Sequence, residues 1–431
     1  MTQTEARHAW HRREFARTFA LGGSAALFAR QGFAWPKTTD LPPTPASPDE
    51  KFWGAVREQF VMPRELGVLN AANLCPSPLP VLETLSDFTK DMDRDPSFPN
   101  REKMTKGKET TRRLLAEFLG VTPEEIVITR NTSEGNNLVS SGLDLKAGDE
   151  VLLFSDNHPS NKAAWELKSR RYGFSLKVVN QVNPHPGAEY YIDAFRKEIT
   201  SRTRVLAFTH LTSTVGDLFP ATELCRLARE REVLTLVDGA QTFGLMNVDL
   251  GEMQPDFYTG SAHKWPCGPK EVGVLYVNRR AHGRIWASVV SAYPGEVGIS
   301  ETFEGFGQRD EPSIMAFGKA LEFQARIGRD TIQARAQELT QRLIGELKRM
   351  DGIKVWTSSD PSRSVAVVSF LPAGLDVRKL SAALYERDRI GCATREGPDR
   401  GGIRFSPHFY NLHSEVDRAI AAIKGYLKTG L

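Results

Sequence analysis

Cysteine is scarce. The 431 residues hold four, at positions 75, 225, 267 and 392, far apart along the chain. No two stand at metal-ligand spacing, and there is no disulfide framework, so the spacing gives neither a zinc module nor a stapled mini-domain. Charge of one sign is also lacking. Lys plus Arg number 56 and Asp plus Glu 53, a balance of +3. That gives no reason to expect nucleic acid or an anionic membrane as partner. Long hydrophobic runs are missing too: the apolar stretch from Thr18 to Ala29 is too short for a permanent membrane anchor. There is no internal repeat and no low-complexity segment beyond one proline-rich stretch. What is present is ordinary for a globular chain, 40% hydrophobic and 25% charged, with a length that makes two domains the natural expectation.

The first 35 residues differ from the rest. Basic residues cluster around Arg12-Arg13, the apolar run follows, and Gly32-Phe33-Ala34 forms a small-x-small site before Trp35. These are the three parts of an export signal, and the paired arginines suit the twin-arginine route, with a frayed basic helix as the bland alternative. Residues 1–35 are therefore expected to be a twin-arginine signal peptide and the mature protein periplasmic. Residues 36–49 hold five prolines and read as an extended linker.

From Asp49 the pattern becomes regular. Phe52, Val56 and Phe60 predict an amphipathic helix, and 108–119 a second. Short, almost wholly apolar segments then recur: 125–129, 150–154, 176–179, 204–208 and 233–237, separated by helical stretches. Such alternation predicts an α/β fold with a parallel sheet covered on both faces. Residues 313–350 read as mostly helical, with Arg326 to Arg349 as a solvated charged helix. Beyond Gly352 the expected elements are a strand at 365–370, a helix at 377–386, a strand at 403–406 and a helix at 414–428. The division expected is a large domain over 50–310, opened by a helical segment at 50–68, and a smaller C-terminal α/β domain with its leading long helix over 311–431.

Ligands of parallel sheets sit beyond the C-terminal ends of the strands. The polar residues following the strands are Thr132-Ser133, His158, Asp238 with Gln241, and Ser261-Ala262-His263-Lys264. Singly, each has a plain explanation: a helix cap, a surface histidine, a turn aspartate, a solvated lysine. Together they supply what a pyridine aldehyde phosphate needs. Thr132 and Ser133 at a helix N-terminus suit a phosphate. Asp238 at the end of a buried strand can keep a ring nitrogen protonated. His158 can stack on the ring, Gln241 can reach the phenolic oxygen, and Lys264 supplies the amine for the aldehyde.

Val237-Asp238-Gly239-Ala240-Gln241, followed by Ser261-Ala262-His263-Lys264, resembles the signature of class V aminotransferases, enzymes of fold-type I that use pyridoxal 5'-phosphate. The similarity runs from about Leu69 to the C-terminus. It implies a mostly parallel seven-stranded sheet in the large domain and Lys264 as the Schiff-base lysine. It also implies Asp238 at the ring nitrogen, Gln241 at the phenolic oxygen and His158 on the ring face. Thr132, Ser261 and His263 would hold the phosphate, with Ser133 close by. Arg404, in Arg404-Phe405-Ser406-Pro407, matches the arginine that grips the substrate carboxylate, a task for a guanidinium fork. A homodimer is implied as well. Gly307-Gln308-Arg309-Asp310 resembles a motif of the isopenicillin N epimerase-like branch in which a threonine reaches the neighbouring site. Here Gln308 stands in its place.

The family runs several reactions. Cysteine desulfurases carry a cysteine on the loop before the substrate arginine, and residues 395–402 contain none. Cys392 reads as a small core residue. The expectation is an enzyme acting on an amino acid or a peptide-linked amine by transamination, epimerisation or oxidative decarboxylation. The alternatives are a C–S lyase or desulfurase-like enzyme, or a protein that binds the cofactor without turnover. The intact lysine, aspartate and arginine argue against the last. Export of a folded, cofactor-loaded chain fits a periplasmic tailoring role.

Overall fold

The computed structural model describes residues 40–397 and 399–431. The expected signal peptide over residues 1–35 and the first part of the proline-rich stretch lie outside the described residues. From Leu41 the proline-rich stretch is packed down: Leu41 is buried with Phe52, Trp53 and Phe323, and its carbonyl accepts from Arg326 Nη2. The helix Glu50–Arg57 begins where the pattern predicts, with Asp49 capping the Phe52 N–H. Its apolar face joins Phe60, Phe409 and Tyr410 in one cluster.

Seven strands form the central sheet: β2 (Ile126–Thr129), β3 (Glu150–Phe154), β4 (Ser175–Val179), β5 (Thr203–Thr209), β6 (Leu234–Asp238), β7 (Phe257–Ser261) and β8 (Gly273–Val277). Their order is β2-β8-β7-β6-β5-β3-β4. All neighbours are parallel except that β8 runs antiparallel to both β2 and β7. Alternate residues feed two separate cores. Ile126, Leu152, Leu206, Val237 and Tyr258 enter one, while Val127, Val151, Val205, Leu236 and Phe257 enter the other. Both faces are covered, so these strands read as continuous apolar runs.

A second, four-stranded sheet has the order β12-β13-β10-β9, all antiparallel: β9 (Ile353–Val355), β10 (Val368–Pro372), β12 (Ala393–Arg395) and β13 (Gly402–Phe405). It packs on the helices Arg329–Lys348, Val377–Glu386 and His413–Thr429 around Phe370, Phe405, Leu380 and Val416. A two-stranded parallel ribbon pairs β1 (Gly67–Val68) with β11 (Ile390–Gly391), joining the N-terminal segment to this region.

The charged stretch from 326 to 349 differs from expectation. Gly328, at φ 97°, separates Glu311–Ile327 from Arg329–Lys348, and the second helix buries Ile332, Leu339, Leu343 and Leu347. Most of its charges lie on the outer side, with Arg335 buried, so it is an amphipathic core helix and not a solvated one. Among the described residues no helix is long and apolar enough to cross a membrane.

Candidate active site

The C-terminal ends of β2, β3, β5, β6 and β7 open onto a cavity of about 650 Å³, closed on its far side by β12 and β13. Thr132, Ser133, His158, Asp238, Gln241, Ser261, His263, Lys264 and Arg404, all singled out in the sequence, line it.

One end is a helix N-terminus. The helix Thr132–Gly142 starts at Thr132, as expected, because Asn131 caps it through the Glu134 N–H. With the cap supplied by Asn131, the Thr132 and Ser133 hydroxyls are not needed for it. Ser261 Oγ lies 2.8 Å from both the Thr132 N–H and the Thr132 hydroxyl. Gly135 lets the helix approach β7 closely: a Cβ there would stand 2.7 Å from Thr259 Cγ2. The macrodipole and these hydroxyls make an anion site. His263 stands beside it with Nδ1 on the Lys270 carbonyl, and burial lowers its pKa to about 4.

Asp238 closes β6 and is buried. Asn136 Nδ2 donates to its Oδ2 at 3.0 Å, Asn161 Nδ2 to the same oxygen at 3.3 Å, and the Ala240 N–H to Oδ1 at 3.1 Å. Three neutral donors therefore hold the carboxylate, and no cation pairs with it among the described residues. Gly239 is required next in the chain, since a Cβ there would sit 2.0 Å from the Tyr258 ring. Gln241 is held at both ends of its amide: Nε2 donates to the Ala72 carbonyl and Oε1 accepts from Trp265 Nε1.

Lys264 follows β7 on a turn. Its amine has no hydrogen bond or ion pair among the described residues. Burial lowers its pKa, Asp238 opposes that shift, and Arg404 adds to it. A lysine with a depressed pKa and a free amine suits attack on a carbonyl. His158 caps the helix Pro159–Tyr172, its Nδ1 accepting from the Ser160 N–H, which fixes the ring at the cavity mouth. Burial, then the Lys264 charge, lowers its pKa.

Arg404, on β13, is buried without a carboxylate partner among the described residues. Nη1 donates to the Ser213 carbonyl at 2.9 Å, Nη2 to Asn70 Oδ1 at 3.3 Å, and Nε has no partner. Burial, then repulsion from Arg395, lowers its pKa to about 10. The register of β12 on β13 pairs Arg404 with Ala393 and Arg395 with Gly402, so the two arginines are diagonal neighbours on one face. Arg395 also lines the cavity, and among the described residues it bonds only Thr214 Oγ1, at 3.0 Å.

The family comparison decides what this arrangement belongs to. Residues 69–419 match the model of "Aminotransferase class-V". The chain belongs to the class V aminotransferase family. It is a pyridoxal-phosphate-dependent enzyme of fold-type I. It is 32% identical over 390 residues to isopenicillin N epimerase of Amycolatopsis lactamdurans, covering 86% of this chain and 98% of that protein. It is 26% identical over 389 residues to a probable cysteine desulfurase of Methanothermobacter thermautotrophicus, covering 84% of this chain and 94% of that protein. Among solved structures it resembles a mutant of C-DES with glycine covalently linked to its PLP cofactor, at 26% identity and a TM-score of 0.78, over 88% of this chain and 99% of that one.

The residues present fit the cofactor of this class V enzyme. The hydroxyl-rich helix N-terminus suits a phosphate, the amide-held Asp238 a ring N–H, and the unbonded Lys264 amine an aldehyde. Three participants were not singled out in the sequence: Asn136, Asn161 and Arg395. Asn136 lies in the helix Thr132–Gly142, Asn161 in the first turn of the helix Pro159–Tyr172 and Arg395 on β12, but only the fold turns the two asparagines inward onto Asp238. Cys392 corrects an expectation. It is half-buried between β11 and β12, lines the cavity and lies 3.5 Å from Ser381 Oγ, so it is not a plain core residue. Burial raises its thiol pKa. Gln308 is exposed, bonded to Arg101 and Glu311, and outside this cavity.

Proposed function

We propose that this enzyme acts on the amine of an amino acid, or of a peptide-linked amino acid, by transamination, epimerisation or oxidative decarboxylation. The observation that carries the reading is the unbonded Lys264 amine, lying where both Asp238 and Arg404 act on its charge. Thr132, Ser133, Ser261 and His263 would hold the cofactor phosphate, His158 its ring face, and Gln241 its phenolic oxygen. When bound, pyridoxal phosphate supplies an electron sink for the bond broken at Cα. The chain's residues supply the rest. Arg404 binds the substrate carboxylate, and with Arg395 it gives this end of the cavity two cations. Lys264, with its amine free, would carry the proton to or from Cα. Asp238 holds the ring N–H proton, oriented by Asn136 and Asn161.

The decisive experiment is borohydride reduction followed by peptide mapping. The reading expects the cofactor on Lys264, and a spectral change on adding productive amines, with products identified by mass spectrometry. A label on another lysine, or no spectral response to any amine, counts against it.

A C–S lyase or desulfurase-like activity is the second reading, favoured by the likeness to C-DES, described in one solved complex as a cystine C–S lyase, and to probable desulfurases. Against a desulfurase stands the thiol at 392. Burial favours its protonated form, and the protonated form is the poor nucleophile.

The location and assembly are proposals of the same kind. Arg12-Arg13 and the apolar run support twin-arginine export, and hence a periplasmic tailoring enzyme. A homodimer is supported by large apolar side chains left exposed at Phe98, Trp286, Val290 and Tyr293. In it, Gln308 would face the neighbouring site. Sedimentation of the mature protein and fractionation of cells expressing the full chain test both.

A further inference from the structure

Behind the cavity wall, two sulfurs and an imidazole nitrogen come together. Cys75, Cys267 and His408 place their ligand atoms within 4.8 Å of one another, and all three side chains are buried, at 1%, 0% and 0% exposure. They come from three distant segments: the loop after β1, the turn after Lys264, and the chain beyond β13. No sequence spacing links them.

The chemistry of each member points to a ligand. His408 Nε2 lies 2.7 Å from the Trp265 carbonyl oxygen, so it donates there and leaves the lone pair on Nδ1. Nδ1 is buried with no partner. A carbonyl that fixes one ring nitrogen as donor is the usual support of a metal-binding histidine. Burial keeps the ring neutral, its pKa lowered to about 3. Cys267 sits at φ 57°, in the left-handed region where a side chain costs about 1 kcal/mol relative to glycine. The turn accepts that strain with a thiol in place of the glycine it favours. The Tyr410 hydroxyl donates to Cys75 Sγ at 3.8 Å, so a hydrogen-bond donor stands ready to support a thiolate there.

We propose that Cys75, Cys267 and His408 form a structural site for one thiophilic divalent cation of the zinc class. Two sulfurs and one imidazole select zinc over hard cations such as magnesium or calcium. Binding releases two thiol protons to solvent, and the two thiolates neutralise the ion, so the filled site suits burial. Its mechanical effect follows from the neighbours. The Cys75 N–H already donates to the His263 carbonyl at 2.9 Å, and Ser77 Oγ to the Gly268 carbonyl at 3.1 Å. The cation fastens residues 70–77 to the turn that carries Lys264, and both segments line the catalytic cavity.

The test uses the cofactor-loaded protein and reads metal, not turnover. Wild type is expected to retain about one equivalent of zinc through dialysis and gel filtration. Cobalt(II) exchanged into it is expected to give a sulfur-to-metal charge-transfer band. Cys267→Gly removes one ligand while relieving the left-handed residue, so its fold is expected to persist by circular dichroism. It and Cys75→Ser are expected to lose the zinc and the band. Retention of zinc by wild type at no more than the variants' level overturns the proposal. So does a Cys75–Cys267 disulfide found in unreduced peptide maps.

Discussion

Replacing Arg404 with methionine separates binding from folding, because the two readouts are expected to move independently. The guanidinium is buried, and the fall of its pKa to about 10 corresponds to roughly 3 kcal/mol, at about 1.4 kcal/mol per pH unit, disfavouring the cation. The sign follows from the lowered pKa of a base: the cost is full below about pH 10, where both states are charged, and falls away only as pH rises from there towards the ordinary guanidinium value. Its bonds to the Ser213 carbonyl and Asn70 Oδ1 return about 1 kcal/mol each. Arg404→Met therefore removes a cost and a gain of similar size. Without substrate, the unfolding temperature is expected to fall by no more than about 2 °C. Activity behaves differently. A carboxylate held by the guanidinium fork makes charge-assisted bonds worth about 1.5–3 kcal/mol each, so losing the pair costs about 3–4 kcal/mol. That is a loss of roughly 10²- to 10³-fold in kcat/KM. The assay compares an α-amino acid with the amine that lacks its carboxylate, following the spectral change of the cofactor. The fall is expected for the amino acid alone. An equal fall for both amines, or a collapse in thermal stability, would refute the assignment and leave Arg404 a structural residue.

Asn136→Ala removes one of the two side-chain amides on Asp238 Oδ2, a bond to a charged group worth about 1.5–3 kcal/mol, so cofactor retention in dialysis is expected to weaken roughly 10- to 100-fold. Unchanged retention would show that Asn136 does not orient the aspartate. Cys392→Ala is expected to leave amine turnover within about twofold of wild type; loss of activity together with a persulfide on Cys392 in the wild type would establish the desulfurase reading instead. His210 is buried with a pKa lowered to about 4, so its contribution is present above the ordinary imidazole value near 6.5 and is lost as pH falls from there towards 4. Denaturant titrations at pH 7 and 4.5 are expected to show His210→Gln flattening the acid loss by up to roughly 3 kcal/mol.

The strand-end logic made much of this site legible. Asp238, Ser261 and Lys264 could be located because short apolar runs mark strands, and polar residues after them must face the ligand side. What escaped has physical causes. β8 is the lone antiparallel strand of the central sheet, so it breaks the strand–helix alternation used to find β2 to β6. The helix Phe98–Leu119 begins ten residues before the apolar pattern because Ser97 and Pro99 start it through capping and a fixed φ, not hydrophobicity. Asn136 and Asn161 look like ordinary polar residues near helix starts in one dimension, since an amide's burial depends on which carboxylate the fold brings to it. Cys75 and Cys267 are separated by most of the large sheet, and local spacing cannot register a pair made by folding.

Charge explains why the site is arranged as it is. Lys264, Arg395 and Arg404 bring three cationic side chains to one cavity. Asp238 is the acid among its lining residues, and three neutral donors already hold it. Asp156, which acts on Arg395 from nearby, is tied instead to Arg400 by two bonds. Like charges stand diagonally on one hairpin face, which a structural role alone would select against. On the proposed reading the arrangement would become favourable when anions enter: a phosphate at the helix N-terminus beside Ser261, and a carboxylate at Arg404 on the opposite wall. The cost of holding these cations apart from acids would then be returned as binding energy for the anions that the proposed function places there. The lysine between them is kept low in pKa by the same burial and the same arginine.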